Sequence, residues 1–273
     1  MMSKFRITKI ALYGIMILWS TFVLMPLVWM VLASFKTRRE MFTAPYDLPS
    51  ALTLDSFERA WGVGLGWFIA NSALITVSSV GLIILVSGTA AYVLARAKSV
   101  WLRMAYIAIV VGFAVPVAAV IVPLYQMVSA AGFVNSYVGL IIVTSAYGIP
   151  FTVILFFAFF LDFPKELEEA ARLDGCSKQQ IFFRIIIPLS GPAVASAAIF
   201  QAVFVWNEFL LALLLLNSPG RKTIPVGILQ LQGEFTSDWP AIMAGLSLAT
   251  VPLLLVFIVL QKYFVRSLAG LGK

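Results

Sequence analysis

The chain has no histidine and a single cysteine, Cys176, among its 273 residues. One thiol excludes an intramolecular disulfide, and the lack of histidine removes most zinc sites, Ser-His-Asp triads and Cys-His dyads. No catalytic or metal-binding residue is therefore expected. No Gly-x-x-x-x-Gly-Lys-Ser/Thr segment occurs either, so no Walker-type nucleotide site is expected. The terminal Gly270-Leu271-Gly272-Lys273 has a faint likeness to one but ends before the helix such a loop needs. Charge is also scarce: 11% of residues are charged and 62% are hydrophobic. Soluble domains carry roughly 25% charged residues, and none could hide this much apolar surface from water. The composition belongs to a membrane protein. The net charge of +7 does not point to nucleic acid, because the basic residues flank apolar runs and form no stripe with interleaved aromatics.

What is present is long apolar runs. A helix needs about 20 apolar residues to cross roughly 30 Å of hydrocarbon. Six runs meet that length, at about 11–33, 68–95, 104–128, 137–161, 189–216 and 240–264. The first follows Lys4, Arg6 and Lys9, as in a signal peptide, but it is too long for one and lacks a small-x-small cleavage site; it is expected to be a retained span. Of the 19 lysines and arginines, thirteen fall on the side of the chain that holds both termini, Arg96–Arg103 and Lys165–Arg184. The other six are Lys36, Arg38, Arg39, Arg59, Arg221 and Lys222. The richer side is expected to be cytoplasmic, with both termini inside. The opposite loops, about 34–67 and 217–239, are too short for independent domains. The first holds an amphipathic stretch, Leu54–Trp61, and a glycine run expected to be flexible, Gly62 to Gly66. One transmembrane domain over 1–273 is expected. Pro116, Pro123, Pro150 and Pro252 lie within spans and tend to kink them. Two readings stand: ordinary membrane-helix prolines, or kinked helices lining a cavity that opens and closes.

The most informative segment runs from Phe163 to Pro188. Pro164 suits a first helical position, and Glu166, Glu168 and Glu169 suit the positive end of a helix dipole. Gly175 can take the left-handed conformation that ends such a helix, and Ser177 with Gln180 predicts a capping box for a second one. That second helix presents Ile181, Phe182, Ile185 and Ile186, an apolar face needing cover from the bundle. The first offers Ala170 and Ala171, small enough for another protein to approach closely, with Glu169 and Asp174 beside them. The residues alone support a docking element or an ordinary amphipathic loop.

Glu169-Ala170-Ala171, three residues, Gly175, nine residues and Ile185-Ile186-Ile187-Pro188 together resemble the EAA loop of ABC-importer permeases. Ile187 stands where leucine is usual, and Cys176 where alanine is common. The resemblance extends over nearly the whole chain. The six-span layout, Trp206-Asn207-Glu208-Phe209-Leu210 and Gln261-Lys262-Tyr263-Phe264-Val265 are similar to carbohydrate importers of the maltose-permease G type. The tail Leu268–Lys273 is shorter than the ending frequent in that family. The resemblance implies an all-α membrane fold of six transmembrane helices with a cytoplasmic coupling helix, the type I ABC importer fold. It implies a bacterial inner-membrane permease that passes a sugar, polyol or oligosaccharide delivered by a solute-binding protein. A second related permease and two cytoplasmic ATPases, which carry the ATP and Mg, are the implied partners. Glu169, Ala170, Ala171, Asp174, Gly175 and Pro188 are then the expected coupling residues.

Glu208 is the only acid or base placed well inside a span. A charge there costs about 3 kcal/mol on insertion scales, so it should face the bundle or a wet cavity. With Asn207 and Trp206 it offers a carboxylate, an amide and a flat apolar face, chemistry suited to sugars. Trp206, Asn207 and Glu208 are the candidate pathway residues. The competing reading gives Glu208 a structural hydrogen bond, and the resemblance implies that binding contacts lie largely on the partner permease. An ion-coupled secondary transporter is the alternative function; it would require several buried acids or a histidine relay. A membrane enzyme would require a polar catalytic cluster, which is not found.

Overall fold

The computed structural model describes residues 2–233 and 237–270, with side chains placed outside 2–8, 10, 260 and 263–270. The last three residues of the tail and the side chains of the Tyr263–Val265 motif thus lie outside the described residues. In chain order, α1 is Met2–Ala33, α2 Arg38–Thr43, α3 Asp55–Gly62 and α4 Leu65–Arg96. Next come α5 (Val100–Phe113), α6 (Val117–Ala130), α7 (Tyr137–Asp162), α8 (Lys165–Leu173) and α9 (Lys178–Ile181). A π-helical turn at Phe182–Ile186 leads to α10 (Ile187–Leu189), α11 (Gly191–Trp206) and α12 (Leu210–Leu215). The chain ends with α13 (Ile224–Gly227) and α14 (Trp239–Gly270). Among the described residues four helices are long and apolar enough to cross a membrane, or six spans result if two bent pairs each count as one. This is the expected all-α membrane fold.

Two spans are broken, the third where a proline is expected to kink it and the fifth where an uninterrupted run over 189–216 is expected. The third is α5 and α6, bent by 105° at Ala114–Pro116. Proline cannot donate to the helical ladder and pushes the residue before it out of helical conformation, so the helix stops and restarts at Pro116. The fifth bends by 74° between 178–189 and 191–206, then breaks again at Asn207–Phe209. Pro123, Pro150 and Pro252 are all accommodated inside helices.

The chain divides into two compact units, 67–226 with 252–273 and 1–66 with 227–251. In the larger unit α4 and α7 pack through small residues. Ser79 and Thr144 share a hydroxyl–hydroxyl bond of 3.0 Å, Ser145 donates to the Ser79 carbonyl, and Ser87 donates to the Ile149 carbonyl. Small and hydroxyl-bearing side chains let helix backbones approach where lipid offers no hydrophobic drive. Gln201 of α11 joins them, donating to the Gly148 carbonyl and to Thr152 Oγ1 at 3.0 and 2.9 Å. At one end of this unit the 217–224 loop is stitched down. Asn71 donates to the Gly220 and Lys222 carbonyls, and Asn135 Oδ1 accepts from the amides of Asn217 and Ser218.

In the smaller unit the Ala11–Val28 part of α1 is exposed and almost wholly apolar, a surface that suits hydrocarbon and not water. Beyond it, Thr37 and Glu40 form a capping box that starts α2. Lys36 is buried and donates to the Ala44 and Pro45 carbonyls at 2.7 and 2.8 Å, so its charge serves the loop. The Leu54–Trp61 stretch is helical as its pattern suggests. The glycine run after it is an ordered turn: Gly64 takes φ +101°, open to glycine at little cost, and Leu65 is buried at the start of α4. Asp238 lies buried against this loop, accepting from Arg38 at 2.6 Å and Arg59 at 2.7 Å. Sequence reading had counted these arginines only as topology signals.

Burial raises the Asp238 pKa, but the bonds from Arg38 and Arg59 outweigh it and hold the group below the usual carboxylate value. Glu40, bonded by Ser50 and Thr37, is lowered from 4.5 to about 2. A carboxylate with a depressed folded pKa stabilises fully above its unfolded value, and that stability is lost as pH falls through the folded value. The smaller unit is therefore expected to hold its thermal midpoint down to about pH 5 and to lose it below about pH 4. Asp238→Asn should lower the midpoint at neutral pH and flatten the acid loss, read by thermal unfolding of the purified protein across a pH series.

Candidate functional site: the α8–α9 segment and the break in the fifth span

α8 begins at Lys165, one residue later than expected, with Pro164 as its N-cap residue. Its end is a Schellman turn. The Cys176 amide donates to the Ala171 carbonyl and the Gly175 amide to the Arg172 carbonyl, both at 3.0 Å. Gly175 takes φ +81°, the left-handed geometry that this cap requires. Ser177 and Gln180 then form the predicted capping box, with bonds of 2.8 and 3.3 Å. In a regular α-helix the Pro188 ring would meet the Arg184 carbonyl; the wider π turn just before it relieves that clash.

Helix, cap and turn together sort the segment into two faces. Ile181, Phe182 and Ile186 are buried with Phe156, Phe160, Phe163, Ala91 and Ala193, the cover that the apolar pattern called for. Ala171 is buried in the same cluster, 5% exposed. This corrects the expectation that both alanines form the approach surface; only Ala170 faces outward. Glu169, Ala170, Asp174, Gly175 and Pro188 are exposed. Leu173 joins them at 90% exposed. A bare leucine beside two acids on a capped helix was not singled out in the sequence, although its spacing from Ala170 places both on one face.

The sequence reading also assigned Glu168 to the helix dipole alone, and here the structure adds a second role. Glu168 is only 2% exposed. Its Oε1 accepts from Arg96 Nε at 2.8 Å and lies 2.7 Å from Arg96 Nη2. Its Oε2 accepts from the Tyr92 hydroxyl at 3.0 Å, and Arg172 lies at 3.5 Å. Arg96 also donates to the Phe160 and Phe163 carbonyls at 2.5 and 3.3 Å. A charge buried this far is tolerable only because nearly every lone pair has a donor. No short motif marks the pairing of residues 72 positions apart.

The second candidate is the break after α11. Trp206 is buried and closes α11, Asn207 is exposed and Glu208 half-buried. Glu208 Oε1 accepts from the Leu211 amide at 2.6 Å, and Asn207 Nδ2 donates to the Val203 carbonyl at 2.8 Å. The expected continuous span over 189–216 is thus corrected to two helices. Glu208 takes a backbone donor that a continuous helix would use and caps the start of α12, where a negative group is favoured. A separate apolar groove of about 320 Å³, lined by Leu124, Met127, Phe133, Ile142 and Tyr147, includes none of these residues.

Residues 83–270 match the family described as the binding-protein-dependent transport system inner membrane component. The chain belongs to that family. It is 34% identical to the probable ABC transporter permease protein YurM of Bacillus subtilis, over 98% of this chain and 89% of that protein. It is 31% identical to the diacetylchitobiose uptake system permease protein NgcG of Streptomyces coelicolor, over 94% and 86%. The fold matches a chain in the crystal structure of a bacterial ABC transporter that imports the acidic polysaccharide alginate. That match has a TM-score of 0.80 and 22% identity, covering 95% of this chain and 97% of the other. The protein is therefore a multi-pass inner-membrane permease of an ABC importer and not an enzyme. It works with an ATPase and a substrate-binding protein.

Gly175 offers a local test. Gly175→Ala meets no neighbour within 4 Å yet forces a side chain into left-handed backbone, which costs about 1–2 kcal/mol. The expected drop in thermal midpoint of the purified protein is about 2–4 °C per kcal/mol. Gly175→Asn, which tolerates that conformation better, should lose less.

Proposed function

We propose that this permease pairs with a second, related permease and passes a sugar, polyol or oligosaccharide inward, driven by two ATPases that hold the ATP and Mg. In this reading both termini and the α8–α9 segment are cytoplasmic, in line with the excess of lysine and arginine on that side. The exposed patch of Glu169, Ala170, Leu173, Asp174 and Gly175 carries the proposal. It is the coupling surface that seats on an ATPase, with Pro188 at its far end and Ala171 fixing it from behind. An ordered acidic rim around an exposed leucine suits a basic-rimmed pocket on a partner. The carbohydrate class is supported by the relative named for diacetylchitobiose uptake.

The same reading places Trp206, Asn207 and Glu208 on the translocation pathway. Helix breaks at membrane depth are tolerated where they meet a cavity or protein, and here the break exposes an amide beside a carboxylate. The permeases alternate their opening as the ATPases close and separate, because each ATPase state makes different contacts with the coupling surface.

Glu169→Lys is expected to reduce uptake by about tenfold or more, either by releasing the ATPase or by uncoupling its hydrolysis. Co-purification and uptake of labelled sugar into proteoliposomes check this, and normal values for both would refute the surface. Glu208→Gln is expected to slow uptake by about tenfold, roughly 1.4 kcal/mol on the barrier, and to lower substrate-stimulated ATP hydrolysis. Unchanged rates would remove it from the pathway. Thermal-shift measurements on the associated binding protein across a sugar panel would identify the cargo.

A further inference from the structure

We propose that Arg96 and Glu168 form a buried clamp that makes α8 and the end of α4 move as one body. Displacement of the coupling surface then reaches α4 directly. The proposal rests on the reading that α8 seats on the ATPase, and it adds the path by which that contact acts on the bundle.

α8 joins the bundle by two covalent routes. Upstream, the extended Phe163–Pro164 linkage leads to α7, with Phe163 at φ −70° and ψ 130°. Downstream lie the Schellman turn, the π turn and the 74° bend. Neither is a straight rigid element. The clamp is the third route. Arg96 and Tyr92 lie one turn apart on α4, and both reach the one carboxylate on α8, while Arg96 also grips the carbonyl end of α7 at Phe160 and Phe163.

Packing alone already buries α8's inner face, through Ala171, Phe163, Ile181 and Phe182. Aromatic and aliphatic contacts tolerate sliding and set register weakly. A buried ion pair adds little stability over an apolar pair of the same volume, because desolvation offsets its attraction. What it adds is a fixed geometry. The guanidinium is a planar fork, and here Nε, Nη1 and Nη2 are all engaged, an arrangement lysine cannot reproduce. With side-chain exposures of 17% for Arg96 and 2% for Glu168, the pair is little screened by salt. Arg96 and Glu168 are positioning residues: in this assignment neither touches cargo or the ATPase.

The test uses the whole transporter in proteoliposomes, with Glu168→Gln and Arg96→Lys introduced separately. Both variants should retain the ATPase on purification and keep its basal hydrolysis. Uptake per ATP hydrolysed should fall by about fivefold or more, the low end of coupling between linked sites. Spin labels at Lys98→Cys and at Lys165→Cys, the latter exposed on α8 but outside the docking patch, in a Cys176→Ser background, read the movement itself. Their separation should stay constant between nucleotide-free and ATP-trapped states in the parent and change with nucleotide in the variants. Unchanged uptake per ATP, or a parent separation that varies with nucleotide, overturns the clamp. Loss of the assembled complex in both variants also overturns it, in favour of a purely structural pair. If only Glu168→Gln fails to assemble, Arg96→Lys decides by the same ratio. Glu169→Lys serves as the separate control for docking: ATPase retained with normal uptake refutes that surface, whatever the clamp variants show.

Discussion

A carboxylate removed from water needs donors, and Glu168 has them from Arg96, Tyr92 and Arg172. That requirement constrains much of the α8–α9 segment. Glu168 facing inward on α8 brings Ala171 inward with it, since residues three apart share a helix face. The same rotation turns Glu169, Ala170 and Leu173 outward. The Schellman turn then folds the chain back so that Ile181, Phe182 and Ile186 close over the same cluster. The exposed patch is thus the complement of a buried face, which apolar packing covers and the paired Glu168 charge holds in register.

Similar logic recurs wherever polar groups are buried. Asp238 is paired with two arginines from the loop it packs against, and Lys36 donates to two carbonyls. Glu208 caps a helix inside the fifth span. Each polar group fixes backbone that apolar packing alone would leave undetermined. In a chain with 11% charged residues, the few charges that face inward are concentrated at turns, breaks and helix ends. These are the places where the chain departs from a continuous transmembrane helix.

The local features were largely legible in the sequence. The Gly175 turn and the Ser177–Gln180 capping box depend on residues within a few positions of one another, and both form as read. The apolar runs at 68–95 and 137–161 became α4 and α7 for the same reason: length and composition act along the chain. The prolines of the third span predict a kink there, but the apolar run of the fifth continues through Glu208 and shows no break. Apolarity reports what lipid tolerates, whereas the break depends on which backbone donor or acceptor loses its partner. The glycine run at the end of α3 is expected to be flexible, whereas the structure gives it one defined turn beside a buried Leu65.

By itself, then, the sequence determined the class of the protein. A membrane bundle without its own nucleotide site, carrying a Glu169–Pro188 segment spaced for docking, is written in composition and short-range pattern. Only the tertiary structure decided which side of that segment faces out, that Ala171 supports the surface instead of forming it, and that Glu168 is held by Arg96. The physical reason is range. Capping and helix periodicity act over a few residues, but burying a charge depends on what the whole fold brings to within 3 Å of it, and here the partner lies 72 residues away.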